Sequence, residues 1–266
     1  MTPDLLRLLV FLGVLVGMSL WERAAPRRAW TEPRSKRWLA NLGLSVAGSV
    51  LLRFTVGAAA YRMAVVASDR SWGLLRLFDL PPPLPFLASF FLLDFGIYVQ
   101  HLVFHYIPLF WRLHQVHHTD LDFDATTGVR FHPAEILLSM LYKAALVASV
   151  GASPAAVLAF EIALNAASLF NHGNVRIARE ADQLLRILVV TPDMHRVHHS
   201  TAPEEMNSNF GFSVSFWDRL LGTYRARPWA EQEGMEIGQR EFRDGGELGL
   251  GELLAFPFRK KRAGGA

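Results

Sequence analysis

The chain alternates between apolar runs and polar, turn-rich stretches. The apolar runs are Leu5–Leu20, Trp38–Val66, Leu84–Gln100, Ile136–Val150 and Ala155–Phe170. Their charges are few: Arg7 in the first, Arg53 and Arg62 in the second, then Asp94, Lys143 and Glu161. A bilayer core needs about 20 apolar residues in a helix, so the first three runs are long enough or nearly so. The last two, about 16 residues each, read as a hairpin around Gly151-Ala152-Ser153-Pro154 that crosses if polar groups cap its ends. Leu5–Leu20 reads as an uncleaved anchor, because Trp21-Glu22-Arg23 follows it without a small-x-small cleavage site. The pattern predicts an all-α integral membrane bundle of four to five spans.

The polar stretches orient it. Residues 21–37 carry six basic side chains, from Arg23 to Arg37, against Glu22 and Glu32, which is the signature of a cytoplasmic loop. Residues 68–83 read as a short interfacial segment closed by Pro81-Pro82-Pro83. Thr119–Gly128 is turn-rich, and Pro133 suits the first turn of a helix. Leu184–Val190 reads as a short apolar helix. The stretch beyond Arg227 is charged and Gly-rich and ends in Arg259-Lys260-Lys261-Arg262, a patch suited to anionic headgroups. Three parts follow: anchor spans and basic loop over 1–83, a catalytic unit over 84–227, and a tail over 228–266.

The candidate chemistry lies in the histidines. All ten fall between positions 101 and 199. His101 and His105 stand at i, i+4; His114, His117 and His118 at i, i+3, i+4; and His195, His198 and His199 repeat that triplet, so each set shares one helix face. Imidazole is the commonest neutral metal ligand and suits Fe, Zn, Cu and Ni. Eight such groups exceed the shell of one zinc, so two metals in one pocket are expected. His172 and His132 join the candidate ligands, although His132, beside Pro133 at a helix start, suits a capping role as well. If both triplets serve one pocket, an even number of crossings separates them. The 136–170 hairpin supplies two, which puts the histidines and the basic loop on the cytoplasmic side as a helical cap.

Two stripes of polar residues enter the apolar runs. Asp94, Tyr98, His101 and His105 share a spacing with Glu161, Asn165, Ser168 and His172. Asp94, Glu161 and Asn165 are therefore expected behind the ligands, the carboxylates accepting the outer N–H of metal-bound imidazoles. The alternative is a structural partner such as Arg53. Composition adds exclusions. The chain is 51% hydrophobic and 19% charged with a net charge of +3, so no nucleic-acid partner is indicated. The absence of cysteine excludes disulfides, thiolate zinc sites and a built-in iron–sulfur cluster.

These residues resemble the fatty acid hydroxylase/sterol desaturase superfamily of membrane di-iron enzymes. The pieces are His101-x-x-x-His105, Trp111-Arg112-x-His114-x-x-His117-His118, Thr126-Thr127-x-x-Arg130-Phe131-His132-Pro133-x-Glu135 and Asn171-His172-x-Asn174. They continue with Met194-His195-Arg196-Val197-His198-His199, Asn209-Phe210-Gly211 and Trp217-Asp218-Arg219-Leu220-Leu221-Gly222-Thr223. Leu102 departs from the Arg that many members carry after the first histidine. The resemblance implies a di-iron centre that uses O2 to hydroxylate or desaturate a C–H bond of a lipid. The sterol, hopanoid, carotenoid, ceramide, ether-lipid and fatty-acyl classes all remain open. It also implies two external electrons per turnover. The chain has no haem-domain motif and no Gly-x-Gly-x-x-Gly loop, so a separate reductase, ferredoxin or cytochrome is expected. A bacterial inner membrane is the expected location. A membrane cytochrome, a zinc hydrolase and a non-catalytic lipid-binding homologue are the competing classes. The first needs facing histidines deep in the spans, the second a His-Glu-x-x-His motif, and the third predicts lost histidines.

Overall fold

The computed structural model describes residues 1–243 and 248–259. The helices in chain order are α1 (Pro3–Ala24), α2 (Arg34–Phe54), α3 (Ala59–Asp69), α4 (Leu84–Tyr106), α5 (Pro108–His118) and α6 (Pro133–Val150). They continue with α7 (Pro154–Asn171), α8 (Arg179–Leu185), α9 (Pro192–His198), α10 (Pro203–Met206), α11 (Phe216–Leu220) and α12 (Leu250–Ala255). The described residues form no strand, only isolated β-bridges such as Val189–Val214. Five segments are long and apolar enough to cross a membrane: α1, Arg34–Leu77 with α2 and α3 inside it, α4, α6 and α7. The protein is an all-helical integral membrane bundle.

The caps follow the sequence. Thr2 accepts from the Leu5 N–H ahead of Pro3, and Ser153 accepts from the Ala156 N–H ahead of Pro154. Gly151 ends α6 at φ +76°, and a Cβ there would meet the Trp72 carbonyl at 2.4 Å. Only glycine fits that close approach. The second apolar run differs from the single helix its pattern predicts. It breaks at Thr55–Ala58, where Gly57 takes φ +53°, and Arg62 donates to the freed Val56 carbonyl at 2.5 Å. The charge inside that run thus satisfies the break. Leu184–Val190 also differs: the helix α8 stops at Leu185, and Val189 bridges Val214.

The bundle core is built from α3, α4, α6 and α7, with Ala60, Ala64, Leu93, Ile97, Val147, Val157 and Phe160 buried together. Gln100 and Tyr142 tie α4 to α6 through Ser139 and the Gly96 carbonyl. The stretch read as a tail folds back instead. Leu248, Leu253 and Phe256 pack on Ala40, Leu44 and Val116, and Met235 and Ile237 pack on Phe123. Of the terminal basic run, Lys260, Lys261 and Arg262 lie outside the described residues.

Candidate metal centre

Four stretches converge at one end of the bundle. The turn at Ile107, with Pro108 opening α5, folds His114, His117 and His118 back on His101 and His105 at the end of α4. His172 follows α7, and α9 delivers His195, His198 and His199. Nine imidazoles result, in two groups. His101, His105, His114, His118 and His198 form one; His117, His172, His195 and His199 form the other. Within each group one nitrogen per ring lies within 4.8 Å of all the others.

The outer nitrogens are anchored by acceptors. His101 Nδ1 donates to the Phe210 carbonyl at 2.8 Å, His198 Nδ1 to the Ser208 carbonyl at 2.8 Å, and His172 Nδ1 to the Ser168 carbonyl at 2.8 Å. His114 Nδ1 donates to Glu135 Oε1 at 2.6 Å. A carbonyl can only accept, so the proton sits on Nδ1 and the Nε2 lone pair points inward. His101, His114 and His198 Nε2 are buried without a partner, as are both nitrogens of His105, His118 and His199. His172 Nε2 lies 3.1 Å from Nε2 of both His117 and His195. Leaving so many buried nitrogens unpaired would cost ~1–3 kcal/mol each, so the donor set fits cations bound between the rings.

Burial also keeps the rings neutral. It pushes the His114 imidazolium down to about 3. His172 falls to about 3 as well, through burial and against the pull of the Ser168 carbonyl. His117, His118, His195, His198 and His199 are held well below the usual value by burial and then by neighbouring imidazoles. A neutral ring is the form that binds a metal.

Four expected site residues lie elsewhere. His132 is outside both groups: its Nδ1 accepts from the Ala134 N–H at 3.1 Å, capping α6, and its Nε2 meets the Leu254 carbonyl. Asp94 accepts from Trp217 Nε1 at 2.9 Å and touches no histidine. Glu161 binds Arg7 at 2.6 Å and Lys143 at 3.0 Å, and Asn165 is exposed on α7. The cause is translation along the axis. A shared stripe fixes direction, but Asp94 stands ~10 Å below His101 and Glu161 ~16 Å below His172 at 1.5 Å per residue. Arg53 is exposed and is not the partner of Asp94.

Glu135 is the carboxylate that reaches an imidazole. Its signal was its place in the first turn of the helix that His132-Pro133 opens. A buried polar network was also missed. Arg37 binds Asp120 at 2.7 and 2.8 Å and Asp124 at 2.7 Å. Arg130 donates to the Val116 carbonyl, Asn41 and Thr119 at 2.7–2.9 Å, closing the end of α5. Burial alone would raise Asp120, but Arg37 overrides it and holds the carboxyl well below its ordinary range. Glu22 of α1 accepts from the N–H groups of Ala125 and Asn174.

The model of the family described as fatty acid hydroxylase matches residues 86–223, just over half of the chain. The chain belongs to the fatty acid hydroxylase family. Among its relatives, human alkylglycerol monooxygenase is 28% identical over 162 residues, covering 58% of this chain and 34% of the relative. The ornithine lipid hydroxylase OlsE of Rhizobium tropici is 26% identical over 261 residues, 95% of this chain and 75% of the relative. Cholesterol 25-hydroxylase of Rattus norvegicus is 26% identical over 163 residues, 60% of this chain and 53% of the relative. The chain thus spans about a third of the length of the alkylglycerol monooxygenase it matches. No solved structure matches it. The family match takes in both His101–His118 and His195–His199.

Proposed function

We propose that the protein is a membrane oxygenase that hydroxylates a C–H bond of a bilayer lipid. The balance is one O2, two electrons and two protons per C–H bond converted to C–OH, with one water released. Two irons bound by the imidazole groups would supply the O2 activation that an unactivated C–H bond requires. The observation that carries the reading is the pairing of two inward-facing imidazole groups, five rings and four, at the mouth of an apolar bundle.

The protein's own contribution is orientation and dryness. The carbonyls of Phe210, Ser208 and Ser168 and the Glu135 carboxylate fix ring tautomers. Phe210, Phe131 and Phe123 pack against the rings and exclude water. A lipid substrate is supported by the apolar spans that carry the site and by the relatives named above, which act on lipids by their names. Those names favour hydroxylation over desaturation. The electrons come from a separate donor docking on the cytoplasmic face of a bacterial inner membrane, the side favoured by the basic 21–37 loop.

Metal analysis of protein purified anaerobically from its native host, with lipidomics of a deletion strain, tests this. About two irons per chain and a hydroxylated lipid lost on deletion are expected. Stoichiometric zinc without iron, or an unchanged lipidome, would favour a non-catalytic metal- or lipid-binding protein of this fold.

A further inference from the structure

The segment from Phe210 to Tyr224 runs down the side of α4 instead of over its end. At the top, Phe210 lies 5.1 Å from the His105 ring and 5.5 Å from that of His101. Lower down, Tyr98 Oη is 2.8 Å from Thr223 Oγ1, and Trp217 lies 4.8 Å from Phe95 while bonding Asp94. Lowest of all, Phe216 lies 6.2 Å from Phe91. From His105 to Phe91 is roughly 21 Å along the helix axis. A hydrocarbon core is ~30 Å thick, so if α4 crosses it, α11 lies deep inside.

Irregular backbone survives at that depth only if its polar groups are satisfied within the protein. Here they are. The fully buried Asp218 carboxylate accepts from the N–H groups of Phe210 and Gly211 and from the Thr223 hydroxyl. Its carbonyl accepts from the Thr223 and Tyr224 N–H groups. The residues after α8 are strapped to the same unit: Ser215 donates through N–H to the Leu188 carbonyl and through its hydroxyl to the Arg186 carbonyl, and the Val190 N–H reaches Ser213.

The outer face of this unit is apolar. Leu184, Ile187, Leu188, Leu220 and Leu221 are exposed, from 49% at Leu221 to 70% at Leu188. Among the described residues, no large apolar side chain is exposed over 111–132, 172–183 or 191–215. The exposed charge of α11, Arg219, turns back over the Tyr224 ring at 4.0 Å. Arg176, Arg179 and Arg227, also exposed, flank the unit in sequence.

We propose that residues 184–190 and 212–221 form a re-entrant element that enters the acyl chains from the histidine side and reaches the middle of the hydrocarbon core, with bilayer lipid covering its outer face. The inference rests on α4 being a span.

The chain has no cysteine, so a single introduced thiol is unique. Leu188→Cys and Leu220→Cys, spin-labelled in the full chain in phosphatidylcholine vesicles, report their surroundings by collision with O2, which enters lipid, or with a water-soluble nickel chelate. Leu87→Cys on the exposed side of α4 and Glu204→Cys on α10 are the lipid and water references. Labels at 188 and 220 are expected to match Leu87, with an O2-to-nickel ratio at least tenfold above that at Glu204. Nickel access equal to that of Glu204 overturns the proposal, and so does a label that neither collider reaches, which would mean a protein partner covers the face. If Leu87 itself is open to nickel, the reading of α4 as a span fails first and is identified as the cause. Metal content at the parental level certifies each variant's fold; Ile187→Cys and Leu221→Cys replace any variant that loses it.

Discussion

Glu135 holds His114 from behind and fixes the orientation of its ring. Glu135→Gln replaces the carboxyl behind His114 with an amide and loosens the hold on its ring, so metal affinity or turnover falls ~10–100-fold. Iron per chain, measured beside product per iron, reads the loss. Asp94→Asn is the contrast: it preserves the bond from Trp217, and both quantities stay near the parental level. His132→Ala keeps its metal and loses the α6 cap, at a cost of ~0.5–2 kcal/mol seen in melting. Acid acts on the rings together. Burial depresses the folded-state values of His114 and its neighbours, whereas the unfolded chain titrates near the ordinary value of 6.5. The unfolded state therefore binds more protons below that value. Stability of the metal-free protein is complete above ~6.5 and falls as pH drops below it, by up to ~1.4 kcal/mol per pH unit for each such ring. Melting of metal-free protein at pH 7.5 and 5.5 checks the sign; equal melting at both would mean the rings are not buried neutral.

At the scale of elements, α2 is part of the site's frame. Arg37 and Asn41 reach the loop after α5, and Arg130 closes the α5 carbonyl end against Asn41. Arg130→Ala leaves the buried Asn41 Oδ1 without its donor, while Thr119 still donates to the Val116 carbonyl. Loss of ~1–3 kcal/mol, read as folded yield in detergent, is expected. For the same reason, deletion of the first two spans abolishes folding of the remainder. Elements with a strong local period were legible in the sequence: the five apolar segments, Pro133 opening a helix, the hairpin turn at Gly151–Pro154, and the facing sets at His114–His118 and His195–His199. What escaped was set by tertiary distance. Asp94 and Glu161 share stripes with histidines, but position along an axis separates them, and a stripe carries no information about that. Glu161 instead answers Arg7 and Lys143, two cations from helices α1 and α6 that no local pattern pairs with it. The break at Gly57 was hidden because the residues around it stay apolar.

For the whole molecule, the basic loop and the first turns of α2 pack on the histidine end, so loop and histidines belong on one side of the membrane. Reporter fusions after Arg130 and after Arg259 are both expected to read cytoplasmic; opposite readings would break the two-crossing hairpin of α6 and α7. The order in which the chain supplies its imidazoles has a consequence for biosynthesis. By residue 118 the ribosome has delivered His101, His105, His114 and His118, every member of the five-ring group except His198. Four imidazoles form the shell that zinc prefers, and zinc outcompetes ferrous iron at most nitrogen sites. The second group then holds His117 alone, until His172 and α9 emerge. If iron is the working metal, as proposed, a nascent chain passes through a stage matched to zinc, and the fidelity of loading would depend on how quickly His198 closes the ring of donors.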